Sequence, residues 1–295
     1  MQKNSYFLNI YLAKFWETLG NFFQNFWIVL YEWFGSDDYS TVVWGSFLIT
    51  TLLYWIAGFC YTVVDLTGKP AFILKYKIQD TSSYPVSFRQ VLRVVIHVLI
   101  NQVVVSIPFY VFCYQLMAWR GFDSGSTLPT LQRTLLELVF CILMEEIGFY
   151  YSHRFLHHPL LYKHIHKRHH EWTSPIAITA IYAHPIEHIF SNLLPPFLGP
   201  FLLGSHVVTY WLWFSIALLS TLNAHSGFHF PLFPSPEAHD FHHLKFNQNY
   251  GVLGILDQLH GTNSLFLQSK KYQRHIFSLS LVPLKVLYPD KSKKL

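Results

Sequence analysis

Charge is scarce in this chain: Asp, Glu, Lys and Arg supply 13% of 295 residues, against 52% hydrophobic. That balance excludes an ordinary soluble surface and a nucleic-acid partner, and points to a protein for which the bilayer is part of the solvent. Cysteine is almost absent. Cys60, Cys113 and Cys141 lie in apolar segments with no CxxC pair, which rules out a disulfide framework or a thiolate-based metal site and leaves them as small buried hydrophobes. No HExxH occurs, so a zinc protease of that type is disfavoured. Met1 to Asn9 lacks the basic, apolar and small-residue pattern of a cleaved signal peptide, so insertion relies on internal spans. There is no long internal repeat and no low-complexity tail.

What is abundant is apolar and aromatic sequence, with Phe, Trp and Tyr at 18%. Residues 12–34 place Phe15, Leu19, Phe22, Phe26, Leu30 and Trp33 at helical steps between polar residues, the pattern of an amphipathic interfacial helix. Residues 41–64 carry no charge and exceed the length needed to cross the hydrocarbon core. Residues 94–119 form a second span interrupted by Pro108, and residues 131–151 a third that holds Glu137, Glu145 and Glu146, acids expected to face protein rather than lipid. Glu145 and Glu146, two turns before His153, are candidates to support a site there or to cap a helix. Pro195, Pro196 and Pro200 split residues 186–222 into a helical hairpin or re-entrant pair. The expected fold is an all-α integral membrane protein with four or five membrane-embedded helices and a histidine-rich di-metal cap. Its expected divisions are an interfacial region 1–40, a span region 41–130, a catalytic domain 131–275 and a basic tail 276–295. Lys and Arg concentrate in residues 66–93, 153–185 and 225–295, which by the positive-inside bias places those stretches and the histidines on the cytosolic side.

The chemistry lies in histidine. Four clusters stand in the C-terminal half: His153 with His157; His166 with His169 and His170; His225 with His229; His239 with His242 and His243. At this histidine frequency about 0.07 triplets of the form HxxHH are expected by chance; two are present. Positions three and four apart share a helix face, so each cluster can bring its imidazoles to one point. Ten nitrogen ligands exceed what one tetrahedral zinc requires, and two metals are implied. Imidazole suits iron, copper, nickel and zinc alike. Placed just past a span, the metals would meet lipid from one side and a soluble redox protein from the other. Oxidation of an unactivated C–H bond suits that position and requires a metal able to activate dioxygen, which favours iron. Glu187 and Asp240 are candidates to orient ligating rings. His184, with His188 in a further HxxxH, and Asn247 are assigned to the substrate pocket or its surroundings, as are Trp172 and Tyr182. His97, His158, His164, His206, His260 and His275 are read as non-ligands.

The segments HRFLHH (153–158), HKRHH (166–170) and HDFHH (239–243) resemble the three histidine boxes of the fatty acid hydroxylase and sterol desaturase superfamily. Residues 181–187, IYAHPIE, and 223–229, NAHSGFH, resemble segments of its C4-methylsterol oxidase branch, as do residues 245–251 and 256–262 after the last box. The likeness covers about residues 130–275. It implies an endoplasmic reticulum enzyme with two irons bound by all ten cluster histidines, using O2 and electrons from NAD(P)H through cytochrome b5 and its reductase. Its expected substrate is a membrane lipid, foremost a C4-methyl group of a sterol intermediate. Hydroxylation or desaturation of a fatty acyl or sphingolipid chain, a metal transporter and a non-catalytic sterol-binding protein stay open on the sequence. Lys291-Ser292-Lys293-Lys294-Leu295 resembles a dilysine retrieval signal for the same compartment.

Overall fold

A computed structural model describes residues 2–80 and 85–289; the dilysine-like terminus lies outside them. Among the described residues the chain is helical, with one isolated β-bridge, Lys77 to Phe228, and no strand. The long helices are α1 (Gln2–Trp33), α2 (Ser40–Thr67), α3 (Phe88–Arg120), α4 (Leu131–Leu156), α5 (Leu194–Leu203), α6 (Val207–Ser226) and α7 (Glu237–Lys245). Helices α2, α3 and α6 are long and apolar enough to cross a bilayer, which marks a membrane protein. Helix α3 runs through a π-helical turn at Asn101–Ser106. Pro108 falls at the start of the α-helical stretch after that turn, where its missing N–H is tolerated.

Helix α4 has the length of a span but carries acids. Its outer face, with Leu135, Val139, Leu143 and Ile147, is exposed and apolar, whereas Glu137 and Glu146 are buried. The ten residues of α5 reach only about 15 Å, half of a hydrocarbon core. This helix lies against α4 through two glycines: a Cβ on Gly199 would meet Cys141 Cα at 2.7 Å, and one on Gly148 would meet Pro195 Cβ at 3.0 Å. Residues 186–222 hold two helices as expected, but Pro195 and Pro196 open α5 and Pro200 lies inside it, and the break before α6 is made at the left-handed Gly204.

Helix α1 begins ten residues earlier than its periodicity suggests. Phe15, Phe22, Phe26 and Trp33 of its apolar stripe are exposed. The side that docks is marked by Trp27, which is buried and donates to Gly125 O at 2.9 Å. Cys60 is likewise exposed rather than buried, while Cys113 and Cys141 are buried, and all three are free thiols. The core has two parts. One gathers Trp27, Phe109, Tyr110, Phe197, Trp211 and Trp213; the other, including Tyr54, Val94, Val98, Ile178 and Leu222, lies under the turns that lead to the histidines.

Candidate metal centre

Two groups of imidazoles converge at the end of this bundle. His153 from α4 and His157 capping its C-terminal end, His166 and His170 from a 3-10 turn (His166–Glu171), and His242 from α7 form one; His169, His225 from the end of α6, and His239 and His243 from α7 form the other. Within each group all the ligand atoms lie within 4.8 Å of one another. The partition follows helix geometry. Pairs four apart share a group: His153/His157 and His239/His243 because i and i+4 stack on one α-helical face, and His166/His170 although the 3-10 turn that carries them does not stack i on i+4. The member three along, His169 or His242, points into the neighbouring group. Each HxxHH therefore straddles two centres instead of serving one point.

His229 joins neither group. Gly227, at φ 66°, ends α6 in the left-handed region, so the helical spacing from His225 is broken before His229 is reached. The chain turns away to form the bridge at Phe228, and His229 Nε2 contacts Ile276 O at 3.1 Å. Nine nitrogens, not ten, are brought together. The six histidines read as non-ligands stay outside both groups.

Outer contacts fix which nitrogen faces inward. His153 Nδ1 donates to Tyr250 O (2.8 Å), His225 Nδ1 to Thr221 O (2.8 Å), His242 Nδ1 to Gln248 O (2.7 Å) and His243 Nδ1 to Trp172 O (3.0 Å). A carbonyl oxygen only accepts, so these four rings carry their proton on Nδ1 and present a bare Nε2 lone pair to the interior. His166 Nδ1 lies 2.9 Å from a Glu187 carboxylate oxygen. Asp240 does something else: it accepts from Gln79 Nε2 at 2.7 Å and pairs with Lys271, tying α7 to its surroundings without touching an imidazole. The reason is that α7 turns Asp240 away from the face bearing His239, His242 and His243.

Inward nitrogens approach one another closely. His153–His166, His157–His242, His225–His169 and His243–His239 are each 3.2 Å apart between Nε2 atoms, His242–His170 is 3.1 Å, and His170–His166 and His239–His225 are 3.0 Å. Ligands about 2.1 Å from a common metal would be about 3.0 Å apart at right angles and about 3.4 Å at the tetrahedral angle. Bare lone pairs at such distances repel unless a cation lies between them. Protonation is a poor substitute: burial first, then neighbouring imidazoles, hold His166, His169, His170, His239, His242 and His243 below the ordinary histidine range. The donor set thus fits two metal ions.

A cavity descends from both groups into the helices. Its floor includes His153, His166, His169, His225 and His239, and its walls draw on α2, α3, α4 and α6 through Thr50, Tyr110, Phe149, Phe214 and Leu218. Polar side chains punctuate it. Ser106 Oγ is 3.0 Å from His188 Nε2, and Asn192 Nδ2 is 3.3 Å from His188 Nδ1. His188 rather than His184 lines this space; His184 caps the turn after it by accepting from Ile186 N at 3.2 Å. Asn247 is exposed. Trp172 and Tyr182 line an outer groove instead, with Tyr182 donating to Glu171 at 2.9 Å.

Of the two roles expected for Glu146, support of the site is the one the structure shows. Glu146 is buried and accepts three backbone N–H groups, from Val252 (2.9 Å), Leu253 (2.7 Å) and Leu256 (3.0 Å). It thereby holds the loop whose Tyr250 carbonyl aims His153. Asp257 completes the clamp by accepting from Tyr250 N and Gly251 N at 2.8 and 2.7 Å. A buried pair, Lys77 with Asp65 at 2.7 Å, and Lys77 to Ser226 O at 2.8 Å fasten the end of α6 beside His225. The sequence signals for these were acids and a lysine in otherwise apolar surroundings.

Residues 138–262 match the fatty acid hydroxylase family. Fatty acid hydroxylase domain-containing protein 2 of Homo sapiens is 46% identical over 97% of this chain and 86% of its own length. Fatty acid hydroxylase ahd1 of Mycosarcoma maydis is 35% identical over 84% of this chain and 66% of its own, and methylsterol monooxygenase 2-2 of Arabidopsis thaliana is 30% identical over 76% and 84%. No solved structure matches the chain. With two convergent imidazole groups at the head of a membrane-embedded cavity and relatives of this kind along nearly its whole length, the chain belongs to the fatty acid hydroxylase family.

Proposed function

We propose that this protein is an O2-dependent lipid monooxygenase holding two iron ions on nine imidazoles, and that it oxidises a C4-methyl group of a sterol intermediate. The observation that carries the reading is the cavity running from the bilayer-crossing helices to both imidazole groups. When bound, the iron pair supplies the dioxygen chemistry that no side chain can perform. The protein's own part is to present neutral ligands, to aim them through the Nδ1 contacts, and to keep water from the reacting carbon with Phe149, Phe214 and Leu218. Ser106, His188 and Asn192 give the cavity a polar strip. These three side chains pair with one another, and the Ser106 hydroxyl and Asn192 amide keep further hydrogen-bonding capacity that a hydroxylated ring lipid would use and a plain alkyl chain would not. Electrons would arrive from NAD(P)H through cytochrome b5 and its reductase. The proposed setting is the endoplasmic reticulum membrane, with the histidines facing the cytosol and α4 as a fourth crossing.

The relative of Mycosarcoma maydis, by its name a fatty acid hydroxylase, supports a second reading in which an acyl or sphingolipid chain is oxidised. Protein purified under reducing conditions should contain about two irons per chain. Supplied with 4-methylsterols and its redox partners, it should yield oxidised sterols by mass spectrometry. Tightly held zinc alone would count against the iron centre. Oxidised acyl chains with untouched sterol would move the assignment to the second reading.

A further inference from the structure

Outside the histidine cavity, a surface groove of about 500 Å³ runs along α3, within the range of small-ligand sites. Arg89 and Arg93, one turn apart on α3, line one end together with Arg168 from the 3-10 turn. All three are exposed, and among the described residues no ion pair joins any of them to an acid. Glu171 also lines the groove, but one carboxylate oxygen accepts from Tyr182. The lining carries three guanidinium groups against one carboxylate.

His97 and Tyr182 add two polar side chains to the lining, and the remainder of the groove is apolar. Leu92, Ile96 and Ile100 continue along the same side of α3, exposed to 45%, 52% and 48%. Leu92 lies between the two α3 arginines in sequence, and Ile96 and Ile100 follow them by successive helical turns in a segment apolar enough to cross the bilayer. A cationic head end followed by an alkyl-lined stem on a membrane helix matches an amphiphile with an anionic head and a hydrocarbon tail. A soluble acidic protein would match the arginines but leave the apolar stem uncovered.

We propose that this groove is a binding site for an anionic phospholipid, with its phosphate on Arg89, Arg93 and Arg168 and an acyl chain along Leu92, Ile96 and Ile100. Guanidinium forks suit phosphate oxygens through paired, charge-assisted hydrogen bonds. Because Arg168 stands between His166 and His169 in one short turn, the bound lipid would also brace the segment that contributes to both imidazole groups.

The test uses the full chain in nanodiscs of phosphatidylcholine with or without phosphatidylserine, followed by detergent extraction and native mass spectrometry. The wild-type protein should retain one phosphatidylserine per chain. Replacement of Arg89, Arg93 and Arg168 by Gln should weaken retention by about tenfold or more. Lys163→Gln, Lys245→Gln and Lys270→Gln together remove the same charge from other exposed positions and should leave retention unchanged. Metal content and thermal stability report whether each variant is folded, and Arg93→Gln alone serves if the triple variant is not. Several results would overturn the proposal: no retained phosphatidylserine on the wild-type protein, equal losses in the arginine and lysine sets, or displacement of the lipid by inorganic phosphate alone. It is also overturned if the arginine set keeps the lipid yet slows reduction by cytochrome b5, which would assign the groove to a protein partner.

Discussion

Glu146→Gln is a sparing change that should cost this protein one of the two proposed metals. In the native structure one Glu146 oxygen accepts from Val252 and Leu253 and the other from Leu256. An amide has a single acceptor oxygen, so in either orientation its NH2 group is set against at least one backbone N–H. Hydrogen bonds to a charged acceptor contribute about 1.5–3 kcal/mol each, and a buried donor left unpaired adds a penalty. With one or two bonds lost and part of the cost relieved by loop movement, the expected destabilisation is about 2–4 kcal/mol, a large share of a typical total of about 5–15. The functional effect is directional. The released loop carries the Tyr250 carbonyl that orients His153 and the Gln248 carbonyl that orients His242, both in the five-histidine group. Loss of such orienting contacts lowers metal affinity about 10–100-fold. Metal analysis after graded chelation, together with thermal unfolding in detergent, should show the five-histidine group emptying first. Destabilisation below about 0.5 kcal/mol, or loss of both metals in step, would refute the reasoning.

Three further outcomes are expected. His242→Ala should remove metal and turnover, whereas His229→Ala should leave metal content unchanged; metal lost with His229→Ala would show that this side chain reaches a centre. Metal-stripped protein should lose stability as pH falls. The folded state holds His166, His169, His170, His239, His242 and His243 below the ordinary range, so below about pH 6.5 the unfolded chain takes up more protons, and each such imidazole costs about 1.4 kcal/mol per pH unit until its folded-state value is reached. Thermal unfolding at about pH 7.5 and about pH 5.5 tests this, with a flat profile as the contrary result. Lys77→Ala should remove the buried cation paired with Asp65 and destabilise by about 3–5 kcal/mol, while Lys77→Met combined with Asp65→Leu should recover much of that loss. Chemical or thermal unfolding of the single and double variants decides, and no recovery would count against the ion-pair account.

The apolar runs were legible because length and freedom from charge are local properties: residues 41–64 anticipated α2, and the prolines anticipated two helices in residues 186–222, although Pro195, Pro196 and Pro200 all lie within α5 and the break before α6 falls at the left-handed Gly204. The side on which α1 docks was less legible. Periodicity marks an apolar face without saying whether protein or lipid covers it, and in a bilayer both solutions satisfy Phe22 and Phe26. His229 misled for a related reason. Its spacing from His225 assumes an unbroken helix, and the left-handed Gly227 ends that helix. Asp240 was misplaced because a carboxylate amid histidines reads as a ring-orienting group until Gln79 and Lys271, distant in sequence, are found beside it.

The sequence by itself determined a membrane-embedded helical chain and a supply of imidazoles spaced in fours and threes, since hydropathy and helical periodicity act over a few turns. Only the tertiary structure decided how those imidazoles divide. Four elements far apart in sequence meet at the end of the bundle, and buried contacts from Tyr250, Gln248, Trp172 and Thr221 turn the bare nitrogens inward. The result is a group of five and a group of four. A ligand's membership depends on where its lone pair points, and for His153 and His243 that direction is set by the Tyr250 and Trp172 carbonyls, too distant in sequence for any spacing rule to supply.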